Sequence, residues 1–99
     1  MQSIQDVIFF GANFSIGDRS YINRGCTFDC EHGNVNIGSD VGIAFNVSVY
    51  ITQHDYSDPD KRLGMVRGES VFIDDGVWVG ANTTICPGVN IGKGCVICW

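Results

Sequence analysis

The sequence predicts an all-β chain wound into a parallel β-helix, with three flat faces, six residues to a face and about 18 to a coil. Three observations predict it. From residue 71 to 99 (VFIDDGVWVGANTTICPGVNIGKGCVICW) an aliphatic residue returns every six positions, at Ile73, Val79, Ile85, Ile91 and Ile97. Four places after each of the first four stands a small or β-branched residue: Val77, Thr83, Val89 and Cys95. The residue after each aliphatic is short or turn-prone, namely Asp74, Gly80, Cys86, Gly92 and Cys98. A period of six fits neither the α-helix at 3.6 residues nor an amphipathic strand at two. It fits a short strand and a corner repeated around a prism, each face sending one aliphatic inward.

In chain order, residues 1–9 are too short for a domain, and Ile4, Val7 and Ile8 are expected to cap the open end of the coil. Residues 10–54 carry the first coils. The beat starts at Phe10 and continues through Ile16, Ile22 and Phe28, with Phe14, Ser20 and Cys26 in the fourth-after slots. It slips once, because Phe28 and Ile37 are nine residues apart, so the segment 29–36 (DCEHGNVN) is expected to bulge at a corner. It resumes at Ile37, Ile43 and Val49, with Val41 and Val47 in the small slots. Residues 55–68 (DYSDPDKRLGMVRG) break the pattern, placing Asp55, Lys61 and Arg67 where aliphatics would fall. This extended loop is expected to cover a ligand or a neighbouring subunit, since long loops in regular folds usually carry function. Residues 69–99 return to the beat for the last coils.

Composition bounds the function. With 44% hydrophobic and 17% charged residues the chain is globular, and at 99 residues it is a single domain. A net charge of −5 argues against nucleic acid or an anionic membrane as partner. No apolar run reaches the length of a membrane span, and the first residues lack the basic start of a signal peptide, so a cytoplasmic location is expected. The five cysteines are odd in number. Cys26 and Cys95 fall in the small inward slot while Cys86 and Cys98 fall at corners, so buried free thiols are expected rather than disulfides or a metal site.

Two histidines are present. His32 lies in the bulged corner and reads as structural. His54 ends the last regular face before the excursion, where a neutral imidazole is placed to take a proton from a hydroxyl or amine.

The segments IGSDVGIAFNVSVYITQH (37–54) and VWVGANTTICPG (77–88), on either side of the loop, resemble the hexapeptide-repeat acyltransferases. They are most similar to the sugar O-acetyltransferase branch, with its maltose, galactoside and exopolysaccharide acetyltransferases. The resemblance covers nearly the whole chain from Phe10. It implies a left-handed β-helix, a homotrimer, acetyl-CoA as donor in a groove between subunits, and a saccharide hydroxyl as acceptor. By position it implies His54 as general base and Asn23 and Glu31 at the acceptor. Trp78, Gly80 and Ala81 match the stretch whose backbone amides approach the thioester and pantetheine. Two departures matter. Many members place proline after the histidine, where this chain has Asp55. Where the next coil should present a second small residue, the chain has Cys98 and Trp99. The latter motivates an alternative: a shortened, non-catalytic β-helix trimer without acetyl-CoA binding. A metal-dependent carbonic anhydrase with the same coil would need three histidines, one more than the chain has.

Overall fold

The computed structural model describes residues 6–98; Ile4 and Trp99, which carry part of the capping and truncation readings, lie outside them. The described residues contain strands but no helix. The first coil holds β1 (Ile8–Gly11), β2 (Phe14–Ile16) and β3 (Tyr21–Ile22), and the second β4 (Thr27–Cys30), β5 (Val35–Ile37) and β6 (Gly42–Ile43). The third opens with β7 (Ser48–Tyr50), detours through β8 (Thr52–His54) and β9 (Val66–Gly68), then closes with β10 (Val71–Ile73) and β11 (Trp78–Val79). The fourth holds β12 (Thr84–Ile85), β13 (Asn90–Ile91) and β14 (Val96–Ile97).

Corresponding strands of successive coils pair in parallel, giving three sheets: β1-β4-β7-β12, β2-β5-β10-β13 and β3-β6-β11-β14. We call them the first, second and third sheets. The edge joining first to second is the first edge, second to third the second edge, and third back to first the third edge. The six-residue beat is the inward column of each sheet. Ile16, Ile37, Ile73 and Ile91 stack in register, as do Ile22, Ile43, Val79 and Ile97. Ile37, Ile43, Ile73 and Val79 are buried, as are the small slots at Cys26, Val41, Val47, Val77 and Thr83. Burying side chains of this size stabilises by roughly 1.5–3 kcal/mol each, so the repeat itself supplies the core. Polar members of the inward set are satisfied. The Ser20 hydroxyl donates to the Gly38 carbonyl at 2.7 Å and accepts the Val41 amide at 3.0 Å.

The first coil corrects the sequence reading. Phe9, not Phe10, stands opposite Phe28. Its ring stacks on Phe28 at 5.4 Å and meets Phe14 at 4.9 Å, whereas Phe10 points outward and is 52% exposed. A one-residue shift in a strand sends a side chain to the other face, so the first interval is seven residues rather than six. Ile8, expected in the cap, is also outward. The aromatic cluster of Phe9, Phe14 and Phe28 fills this end of the prism instead, with Val7 packed against the core.

The remaining irregularities share one place. The bulge after Phe28 and the excursion after Tyr50 both leave from the first edge, in consecutive coils. They also brace each other: the Asn34 amide donates to Ser70 Oγ at 3.0 Å and the Val71 amide to the Asn34 carbonyl at 2.9 Å. The excursion is wider and more ordered than a loop at 55–68, because β8 and β9 pair antiparallel, Thr52 opposite Gly68 and His54 opposite Val66. An antiparallel stem lets the chain leave the coil and return to the same edge with its backbone groups paired.

Thiol burial follows depth in the coil. Cys26 and Cys30 are fully buried, and burial pushes both thiols up from their ordinary pKa. Cys95 holds an inward slot but is exposed, as are Cys86 and Cys98, so the expectation of buried thiols fails for these three. Within the fourth coil Thr83, Ile85 and Ile91 are still buried, so the exposure of inward slots begins at the residues after them.

Candidate active site at the prism edges

His54 closes β8 and is half-buried at the base of the excursion. Its Nδ1 lies 3.0 Å from the Gly64 carbonyl oxygen. A carbonyl only accepts, so Nδ1 carries a proton, and in the neutral ring Nε2 keeps its lone pair. Nε2 has no partner among the described residues, which leaves it available to a ligand. The stem is stitched beside it. Gln53 pairs across β8 and β9 with Arg67, and Glu69 Oε1 takes Gln53 Nε2 at 3.2 Å and Arg67 Nη2 at 3.5 Å. Beyond His54, residues Asp55, Ser57, Asp58, Lys61, Leu63, Gly64 and Met65 line an open pocket of about 400 Å³.

Glu31 follows β4 at the same first edge, one coil from His54, with its carbonyl 3.4 Å from Asn13 Nδ2. No hydrogen bond or ion pair joins Glu31 to His54 among the described residues.

Asn23, Trp78, Gly80 and Ala81 are elsewhere. Asn23 follows β3 and Gly80 follows β11, so both lie on the third edge. Ile22, Ile43 and Val79 stack in register, which places Asn23, Ala44 and Gly80 in one column. Asn23 and Gly80 are two coils apart, about 10 Å at a strand spacing near 4.8 Å. Asn23 Nδ2 donates to the Ile43 carbonyl at 3.0 Å, and the same carbonyl takes the Asn23 backbone amide. Trp78 projects from the third sheet, its ring centroid 6.5 Å from that of Tyr21. Gly42 lies between the two, and a Cβ there would come within 2.6 Å of the Trp78 ring, so glycine makes the room for the indole.

Not every amide in this stretch is free. Trp78 N–H donates to the Cys95 carbonyl at 3.0 Å and Gly80 N–H to the Ile97 carbonyl at 2.7 Å, both spent in the ladder. Ala81 is exposed and its N–H is not among the engaged amides. Among the described residues the amide of Ala81 therefore makes no backbone hydrogen bond, and its residue is small enough for close approach. Sequence spacing could not separate these, because ladder pairing depends on residues 17 positions away.

The two clusters occupy opposite borders of the first sheet. A six-residue face at about 3.3 Å per residue separates them by up to about 20 Å. The chain thus brings Glu31 and His54 to one edge and Asn23, Trp78, Gly80 and Ala81 to another. Sequence reading missed Gly64, whose carbonyl orients His54; nothing in its local sequence marks it. Among the described residues no three His, Cys, Asp or Glu side chains converge as a metal site.

Comparison with known proteins places the chain among acetyltransferases of similar sequence and fold. No family model matches the chain. It is 34% identical over 88 residues to the galactoside O-acetyltransferase of Escherichia coli, covering 89% of this chain and 43% of that one. A Saccharomyces cerevisiae protein that carries the provisional name of acetyltransferase is 42% identical over 89 residues, covering 89% and 44%. Among solved structures, a galactoside acetyltransferase in complex with coenzyme A superposes with a TM-score of 0.85 at 32% identity, over 96% of this chain and 48% of that one. A Vibrio cholerae hexapeptide-repeat acetyltransferase complexed with acetyl-CoA gives 0.85 at 26%, over 96% and 52%.

Over nearly all of its length the chain is similar to hexapeptide-repeat acetyltransferases. Its coil is accordingly the left-handed parallel β-helix of these proteins, a handedness that periodicity does not specify. The chain spans about half the length of the relatives it matches.

Proposed function

We propose that this chain is the β-helical part of an acetyl-CoA-dependent O-acetyltransferase that acetylates a saccharide hydroxyl with His54 as general base. The observation that carries the reading is the Nδ1–H bond to the Gly64 carbonyl at 3.0 Å, which leaves Nε2 as a lone-pair acceptor. A base must be correctly oriented and unblocked, and in the neutral ring this hydrogen bond leaves Nε2 both. Acetyl-CoA supplies the acetyl group as an activated thioester. His54 Nε2 takes the proton of the acceptor hydroxyl as its oxygen forms the new ester bond, and that proton passes to the sulfur that leaves. The Ala81 amide is the donor best placed to steady the carbonyl oxygen, and Trp78 and Gly80 border the same groove. Asn23 and Glu31 orient the acceptor.

The site is formed between subunits in this reading. Placing the first edge of one copy against the third edge of the next joins His54 and Glu31 to Asn23 and Ala81. That contact is head-to-tail, and in this reading its rotation closes as a ring of three. Exposed apolar residues support it: Ile8, Phe10 and Tyr50 on the outer face of the first sheet, and Leu63, Met65 and Val66 on the excursion. Five free thiols agree with a reducing, cytoplasmic setting.

The test is acetyl transfer from acetyl-CoA to a panel of saccharides, comparing wild type with His54→Ala. Loss of about 10²–10⁴-fold in kcat/KM with an unchanged melting temperature is expected. Full activity in the variant would end the general-base assignment, and absence of acetyl-CoA binding would end the donor assignment.

A further inference from the structure

We infer that Gly64 is a positioning residue for His54 and that Asp55 is the strut holding it there; the device rests on the reading of His54 as general base. The excursion does not simply pass by the imidazole. Asp55 N–H donates to the Met65 carbonyl at 2.8 Å, adding one bond to the stem beyond the His54–Val66 pair. The Asp55 carbonyl in turn accepts the Gly64 amide at 2.9 Å. Asp55 therefore grips residues 64 and 65 from both of its backbone groups, and the carbonyl between those residues, that of Gly64, is the one aimed at His54 Nδ1.

The side chain of Asp55 fixes the strut from the other side. Its Oδ1 accepts the Ser57 amide at 3.0 Å, a bond that holds the carboxyl below its usual pKa and hence as an acceptor-only carboxylate. Glycine at 64 follows from this closeness. A Cβ there would overlap the Asp55 carbonyl oxygen, the very atom to which the Gly64 amide donates. That oxygen cannot retreat without breaking the bond that sets the Gly64 carbonyl. The choice of residue 55 matters too. Proline, which many family members place after the histidine, has no N–H to give to Met65. This chain orients its imidazole through a backbone bond that a proline-bearing relative cannot make.

The test reads the tautomer of His54 directly. Nitrogen-15 NMR of the full chain, assigned with His54→Ala, is recorded at alkaline pH where the ring is neutral. Wild type is expected to show the Nδ1–H form, whereas an unconstrained imidazole favours Nε2–H. Gly64→Ala and Asp55→Pro are expected to shift the ring to Nε2–H and to lower kcat/KM by about 100-fold, the scale of a misplaced catalytic group. Asp55→Asn, which keeps both backbone bonds and an acceptor for Ser57, is expected to retain Nδ1–H and most of the activity. An Nε2–H ring in wild type overturns the inference even if no variant folds, and so does an Nδ1–H ring in folded Gly64→Ala. Because the tautomer is read without turnover, the two readings fail separately. Activity retained by His54→Ala removes the base, while the wrong tautomer removes only the strut.

Discussion

If the site is shared between neighbours, two impaired variants should repair each other. His54→Ala removes the base from the first edge and Asn23→Ala removes the acceptor contact from the third. Neither should harm the fold. His54 is half-buried on a stem with its own ladder, and the Ile43 carbonyl keeps the Asn23 backbone amide when the side-chain amide is lost. Alone, the first is expected to fall by about 10²–10⁴-fold and the second by about 10–100-fold, the cost of one polar contact to substrate. In a ring assembled at random from equal amounts of both chains, each site draws His54 from one neighbour and Asn23 from the other. About one site in four then receives both native residues, so activity should return to about a quarter of wild type. That is at least about 25-fold above the His54→Ala background. The assay is acetyl transfer by co-expressed, differently tagged chains, with ring size checked by light scattering. A mixed assembly no more active than the mean of its parents would refute the shared site, since residues up to about 20 Å apart on one protomer would then have to act without a neighbour.

Three further outcomes follow from the packing. Phe28 is fully buried against Phe9 and Phe14, so Phe28→Ala should cost about 3–5 kcal/mol in a denaturant titration; a loss below about 1 kcal/mol would mean that the aromatic cluster does not plug this end of the coil. Thiol titration of the native protein should count Cys86, Cys95 and Cys98 quickly and release Cys26 and Cys30 only on unfolding, because the latter two are buried with raised pKa values; five fast thiols would contradict the core assignment. Arg19 lowers the pKa of Asp40 through a 2.7 Å hydrogen bond, so this pair's contribution is present above the unfolded Asp value near about 3.9 and is lost as pH falls through the depressed folded value. Asp40→Asn should therefore flatten the acid limb of the stability curve and leave its slope around neutral pH unchanged, as read by melts across pH.

How much of this was legible beforehand can be told from particular residues. Ile37, Ile43, Ile73 and Val79 announced the coil because each inward position is set by its own place in a repeat. A property that depends on six neighbouring residues is written in those residues. The start of the first coil was misread by one position, Phe10 for Phe9, because two adjacent phenylalanines satisfy the same local pattern. Only stacking on Phe28 chooses between them. The 55–68 segment could be recognised as an interruption, yet its antiparallel stem joins Thr52 to Gly68, a pairing that no local rule enforces.

By itself the sequence determined the coil, its core and the singular place of His54, since periodicity and residue type are local quantities. Tertiary structure alone decided that His54 and Asn23 stand on different edges, that the Gly80 amide is spent on the Ile97 carbonyl, and that the Gly64 carbonyl lies 3.0 Å from His54 Nδ1. Each of these depends on which backbone group meets which across a coil or a stem, and hydrogen-bond partners ten to twenty residues apart are fixed by the stacking of the chain on itself.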